Sequence, residues 1–106
     1  MTPEDFLDTL RTVITVDDAG VTRYKLDGVW HRVGGPAIEC PTSNKFWYKC
    51  WYYHGLRHRM DGPAVEYECE KNNCWYIFDK QYSKEVYDRK VKNMIRNGCN
   101  SSKMAV

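Results

Sequence analysis

Two His-Arg pairs, His31-Arg32 and His58-Arg59, are the side chains in this chain best equipped for chemistry. Histidine titrates near neutrality and can serve as a general base, and arginine offers a planar fork to phosphate or carboxylate. Their spacing argues for another role. His58 follows His31 by 27 positions, as Pro63 follows Pro36 and Glu66 follows Glu39. Residues 28–39 read G-V-W-H-R-V-G-G-P-A-I-E, and residues 55–66 read G-L-R-H-R-M-D-G-P-A-V-E. An active site is assembled once from different elements, whereas a unit written twice marks a recurring supersecondary structure. Both pairs therefore read as structural contacts: Arg32 toward Glu39, Arg59 toward Asp61 or Glu66, and each His against neighbouring aromatics. No Ser/His/Asp set, Gly-rich phosphate loop, His-Glu-x-x-His or paired-carboxylate pattern stands out in the chain. No catalytic residue is assigned and an enzyme is not expected.

The cysteines are Cys40, Cys50, Cys69, Cys74 and Cys99. An odd number with no secretory leader argues against a disulfide framework. Cys69 and Cys74, with His54 and His58 upstream, can be drawn as a zinc set, but C-x-x-C spacing is missing. The cysteines read instead as small residues on sheet faces, and no metal or cofactor is expected.

Binding chemistry has better candidates. The run Phe46, Trp47, Tyr48, Trp51, Tyr52 and Tyr53 is aromatic on both faces of a strand. Period-2 alternation puts Phe46, Tyr48 and Cys50 on one face and Trp47, Lys49, Trp51 and Tyr53 on the other. Trp, Tyr and Arg dominate interface hot spots, so the candidate partner-binding residues are Trp47, Trp51, Tyr53, Trp30, Arg57 and Met60. The last three differ from, or stand where, the two copies differ: Trp30 against Arg57, Val33 against Met60. An alternative set for nucleic acid or a nucleotide is Arg59 with the basic residues Lys84, Arg89, Lys90, Lys92 and Arg96. The ordinary reading of those basic residues is the solvated face of an amphipathic helix.

These residues need elements to position them. Thr2-Pro3-Glu4-Asp5 is a helix start, and Phe6, Leu7, Leu10, Val13 and Ile14 recur at helical spacing, so a helix is expected over about 3–13. Asp17 to Gly20 makes a turn. Val21 to Leu26 is a strand, Asp27-Gly28 a hairpin turn, and Val29 to His31 the return strand. Pro36 stands at the start of the strand Ala37–Cys40, and Lys45–Tyr53 is the longest strand candidate. The second copy follows through Cys69. Cys74 to Phe78 begins a third copy that ends without His-Arg or Gly-Pro-Ala. Ser83 then caps a helix over about 83–97, closed by Asn97-Gly98, and Cys99–Val106 is a tail. The expected architecture is one α+β domain over 1–106: two and a half antiparallel β-hairpin repeats, about 21–79, flanked by an N-terminal and a C-terminal helix.

The 106 residues carry a formal net charge of +2, too balanced to point to nucleic acid. Charge is nonetheless polarised: residues 1–20 hold five acids and one base, and residues 84–106 hold six bases and two acids. No apolar run approaches the ~18 residues of a membrane span, so no membrane partner is expected.

At G-x-x-H-R-x-D-G-P-A-[VI]-E the chain resembles short proteins of tailed bacteriophages and giant viruses built from W-Y-x-N-G-x-x-H-R-x-D-G-P-A repeats. Residues 51–66 carry the better match; the first copy departs at Gly34 and Tyr24. The resemblance spans roughly residues 23–95 and is loosely shared with membrane-occupation-and-recognition hairpin repeats. It implies a viral accessory protein in the cytoplasm of an infected cell, and no catalytic residue or cofactor. The expectation is a module that binds, and inhibits, a host protein such as a defence or metabolic enzyme. A nucleotide-sequestering or nucleic-acid binder is the alternative, and self-association through open sheet edges is a third route.

Overall fold

A computed structural model describes residues 2–97. Gly98 and the tail from Cys99 to Val106 lie outside the described residues. The fold is α+β, with helices at both ends and antiparallel strands between them.

Helix α1 (Pro3–Arg11) starts as its residues dictate: the Thr2 hydroxyl accepts the Asp5 N–H, Pro3 holds the first position, and acids fill the first turn. It stops two residues earlier than helical spacing suggested. Val13 and Ile14 belong instead to strand β1 (Val13–Val16), an uninterrupted β-branched stretch that pairs with β2 (Thr22–Leu26). β-branched residues crowd the preceding turn of a helix and suit a pleated surface, so V-I-T-V favours the ladder.

The remaining strands are short: β3 (Val29–Trp30), β4 (Ile38–Glu39), β5 (Tyr48–Cys50), β6 (Tyr52–Tyr53), β7 (Leu56–Arg57), β8 (Val65–Tyr67), β9 (Trp75–Ile77) and β10 (Lys80–Tyr82). The main sheet runs β1-β2-β4-β5-β8, with β3 folded back on β2. β6-β7 and β9-β10 are separate two-stranded hairpins. The three hairpin turns, Asp27-Gly28, His54-Gly55 and Phe78-Asp79, all have positive φ at both central residues, as type I′ turns require. A 3-10 turn at Glu70–Asn72 precedes β9, and helix α2 (Lys84–Arg96) closes the described chain, its N-terminus capped by the Ser83 hydroxyl.

The long aromatic strand expected over 45–53 is divided at Trp51. The Trp51 N–H bonds the Ala64 carbonyl and its carbonyl accepts from His58 N–H. The chain thereby leaves the main sheet and joins the β6-β7 hairpin. The core is small. Trp51, Ala64 and Tyr76 form its centre, and Ala37 and Ala64 have no exposed surface, which explains why Gly-Pro-Ala ends in so small a side chain. The largest fully buried side chains are polar: His31, His58 and Asp5.

Candidate functional site

The two histidines make the same connection. His31 Nδ1 accepts the N–H of His54 at 2.8 Å, and His58 Nδ1 accepts the N–H of Phe78 at 3.0 Å. Each therefore holds the turn of the next hairpin along the chain. The third turn has no glycine, and Phe78 at φ 44° is a bulky residue in the left-handed region. The His58 bond, and the Asp79 carboxylate accepting from Arg57, are what hold it there. His58 also stacks on Phe78, with ring centroids 3.9 Å apart.

The arginines repeat as faithfully. Arg32 lies over the Tyr24 ring at 4.1 Å and Arg59 over the Trp51 ring at 3.8 Å. Both donate to the carbonyl of the proline that follows, Pro36 or Pro63. Arg32 pairs with Glu39 at 3.8 Å, and Arg59 with Asp61 at 2.9 Å and Glu66 at 3.3 Å. A Cβ at Gly35 or Gly62 would sit 2.7 or 2.8 Å from the guanidinium carbon, so glycine there makes room for the stacked arginine. Both histidines are buried and both arginines half-buried, and each pair is committed to contacts within the fold.

A polar cluster lies beneath α1. Asp5, fully buried, accepts the Tyr53 hydroxyl at 2.8 Å, and Asp8 meets His54 Nε2 at 3.0 Å. Burial, and then the hydrogen bond to Asp5, push the Tyr53 pKa well above its ordinary value, so the phenol remains a donor. Burial pulls the His31 pKa down, helped by nearby His54 and opposed by Asp8 and Asp5. His31 Nε2 and Asp5 Oδ2 are both enclosed without a protein hydrogen bond. Asp8, His31 and His54 each offer a ligand atom within 4.8 Å of the others, the one such group of His, Cys, Asp and Glu among the described residues. Cys69 and Cys74 do not enter it. A divalent metal would need a lone pair on His31, but Nδ1 already accepts a backbone N–H, which leaves the proton of the neutral ring on Nε2. Through these contacts the cluster docks α1 on the sheet.

That docking turns α1 inside out. Asp5, Asp8 and Thr12 fall within about 60° of one another on the helix, and this polar side faces the sheet. Phe6, Leu7 and Leu10 occupy the other side and are 56%, 57% and 68% exposed. The apolar stripe faces water, because the two carboxylates find Tyr53 and His54 on the side that meets the sheet. β1 continues the exposure, with Val13, Ile14 and Val16 all open.

The candidate residues read from the sequence do not converge on one patch. Trp51 is buried under Arg59 and is a core residue, so the Trp47/Trp51/Tyr53 face is not an open surface. Tyr53 is tied to Asp5, and Arg57 to Asp79 and the Tyr76 hydroxyl. Trp30 is half-buried beneath Lys25, and Trp47 is half-buried near Lys49. Met60 lines an open groove of about 540 Å³ with Trp75, Lys84, Tyr87, Asp88 and Lys92. Of the alternative set, Arg59 is spent on its stack and ion pairs. Lys84, Arg89, Lys90, Lys92 and Arg96 lie on the exposed surface of α2, where Lys84 pairs with Asp88 and Lys90 approaches the Tyr82 ring. Burial raises the Cys50 thiol to about 11 and the Tyr87 hydroxyl to about 12, so neither supplies a nucleophile near neutrality. The open face of α1 escaped sequence reasoning; the signal was the run of acids on its other side, opposite Tyr53 and His54. The chain matches no family model, no curated protein and no solved structure at a significant level.

Proposed function

We propose that this chain is a non-catalytic protein-binding module that grips its partner through the apolar face of α1. The observation that carries the reading is the orientation of that helix: Asp5 buried, Phe6, Leu7 and Leu10 in water. A single exposed leucine needs no explanation, but a helix that turns its whole apolar side outward does. Each of these side chains, already partly covered, would gain about 1–2 kcal/mol on full burial, enough together for a hot spot when an apolar groove covers them. The resemblance at residues 51–66 supports a viral protein in an infected cell, whose partner is a host protein that it blocks.

The nucleotide reading has the Met60–Trp75–Tyr87 groove in its favour, with Lys84 and Lys92 at its wall. Asp61 and Asp88 line the same groove and balance those charges, so an anion finds no net attraction there. Protein binding is the better-supported function. The test is capture of host-lysate proteins by the intact chain, by Leu7→Ser/Leu10→Ser, and by Trp47→Ala. A defined host protein retained by the parent and Trp47→Ala but lost by the leucine variant is the expected result. Equal capture by all three, or none by the parent, refutes the proposal.

A further inference from the structure

We infer that a second copy of this chain adds to the main sheet at β1, strand against strand, about a two-fold axis. The inference is independent of the host-partner reading, because it concerns the backbone edge of β1 and not the α1 face.

β1 ends the sheet, so among the described residues no strand pairs with its other side. The ladder shows which groups lie on that side. The Asp17 N–H bonds the Val21 carbonyl, which makes 17 and 21 a hydrogen-bonded pair. Such pairs alternate, so Val13 and Thr15 also point their N–H and C=O toward β2. Tyr24, opposite Ile14, confirms the phase: its N–H goes to Ala37 and its carbonyl accepts from His31, both on the far side from β1. Ile14 and Val16 therefore present their N–H and C=O to the open edge. Natural edges are shielded by lysine, proline, a bulge or an inward charge, and Val13-Ile14-Thr15-Val16 has none of these.

The occupant follows from the flanks. Arg11 precedes the strand, and Asp17 and Asp18 follow it. A parallel second copy would set like charges side by side. An antiparallel one brings Arg11 of each copy to the Asp17-Asp18 end of the other. Only an even register lets outward groups face outward groups. Pairing Ile14 with Val16 of the second copy, twice, puts Thr15 on the axis against its own image; Arg11, which also pairs with Asp27, and Asp17, which also pairs with Arg23, then bring opposite charges to each end of the ladder, with Asp18 beside them. This is the self-complementary patch of an isologous dimer. The three open β1 side chains bring on the order of 300 Å² per copy, short of the ~800 Å² of a standard interface, so the dimer is reversible and concentration-dependent.

Sedimentation equilibrium on the intact chain, in reducing buffer and with no host protein, tests this. The parent should associate to a dimer as concentration rises into the high micromolar range. Ile14→Pro removes an N–H that β2 does not use, leaving the fold intact while weakening the dimer by about 30-fold or more, for two lost hydrogen bonds. Ile14→Lys is the second edge-blocking variant should the proline disturb the strand by circular dichroism. Thr15→Cys reports the register. Cα atoms in that central pair lie about 4.5 Å apart, within disulfide reach, so mild oxidation should link two copies above the parent's background. Val13→Cys should not link. A parent that stays monomeric at millimolar concentration, a dimer undiminished in both Ile14 variants, or linking through Val13→Cys but not Thr15→Cys would each overturn the proposed pairing.

Discussion

Replacing His58 by phenylalanine separates a structural histidine from a chemical one. The ring would remain, stacked on Phe78 at the present 3.9 Å separation, but the acceptor at Nδ1 would be lost. The Phe78 N–H would then face an apolar edge. An orphaned donor in a part-buried position costs up to about 1–3 kcal/mol, a large share of the ~5–15 kcal/mol that holds a domain together. Phe78 has a second reason to leave, since its φ of 44° is held by that bond. Taking about 2 kcal/mol, the melting temperature should fall by about 8–16 °C for a domain of this size. His58→Asn offers an acceptor oxygen in place of Nδ1 but loses the stacked ring, so it should cost more, about 2–4 kcal/mol, through the cavity it leaves. Urea denaturation with a shared slope measures both, since a shift in midpoint at constant slope is a change in stability. A His58→Phe midpoint indistinguishable from the parent would show that the Nδ1 bond does not hold the Phe78 turn. The histidine would then be free to be explained by a ligand.

Gly62→Ala should cost about 1–2 kcal/mol by pushing the Arg59 guanidinium off the Trp51 ring and the Pro63 carbonyl. The cost should vanish when measured in Arg59→Ala, as a double-mutant cycle in urea would show. The lowered pKa of His31 gives stability a pH dependence. Unfolded histidine binds a proton below about pH 6.5 while folded His31 does not, so stability is full above that pH and declines below it, by up to ~1.4 kcal/mol per unit, until the folded group also protonates. Urea midpoints collected from neutral pH to about pH 5 should show this slope, and His31→Phe should flatten it. Leu7→Ser/Leu10→Ser should leave the urea midpoint within about 0.5 kcal/mol of the parent, because neither side chain is buried; a larger loss would mean that α1 packs by its apolar face after all.

Local chemistry was legible wherever a few neighbouring residues decide it. Asp27-Gly28 forms the expected turn, Ser83 caps α2, and the Arg59 ion pairs with Asp61 and Glu66 lie within seven positions of one another. What escaped depends on contacts distant in sequence. Helical spacing placed Phe6, Leu7 and Leu10 together correctly but could not tell which side of the helix faces inward. That was decided by Tyr53, which lies 48 positions from the Asp5 carboxylate it bonds. Trp51 looked like one more aromatic in a long strand, yet its backbone leaves the β5 ladder and its ring goes beneath Arg59. Val13 and Ile14 satisfied helix and strand patterns alike, and β2 chose between them.

The histidine connections also give the chain a direction in time. His31 takes its hydrogen bond from a residue 23 positions later, and His58 from one 20 positions later. During synthesis each histidine must wait for the following hairpin, a delay of about one to five seconds at ordinary ribosome speeds. Until then its buried acceptor has nothing to accept. The third hairpin has Tyr82 where the histidine would stand, and a helix, α2, packs against it in place of a further hairpin. The series of hairpin-to-hairpin bonds thus ends at the third unit, and α2 closes it from the other side, its Tyr87 hydroxyl donating to the Arg59 carbonyl.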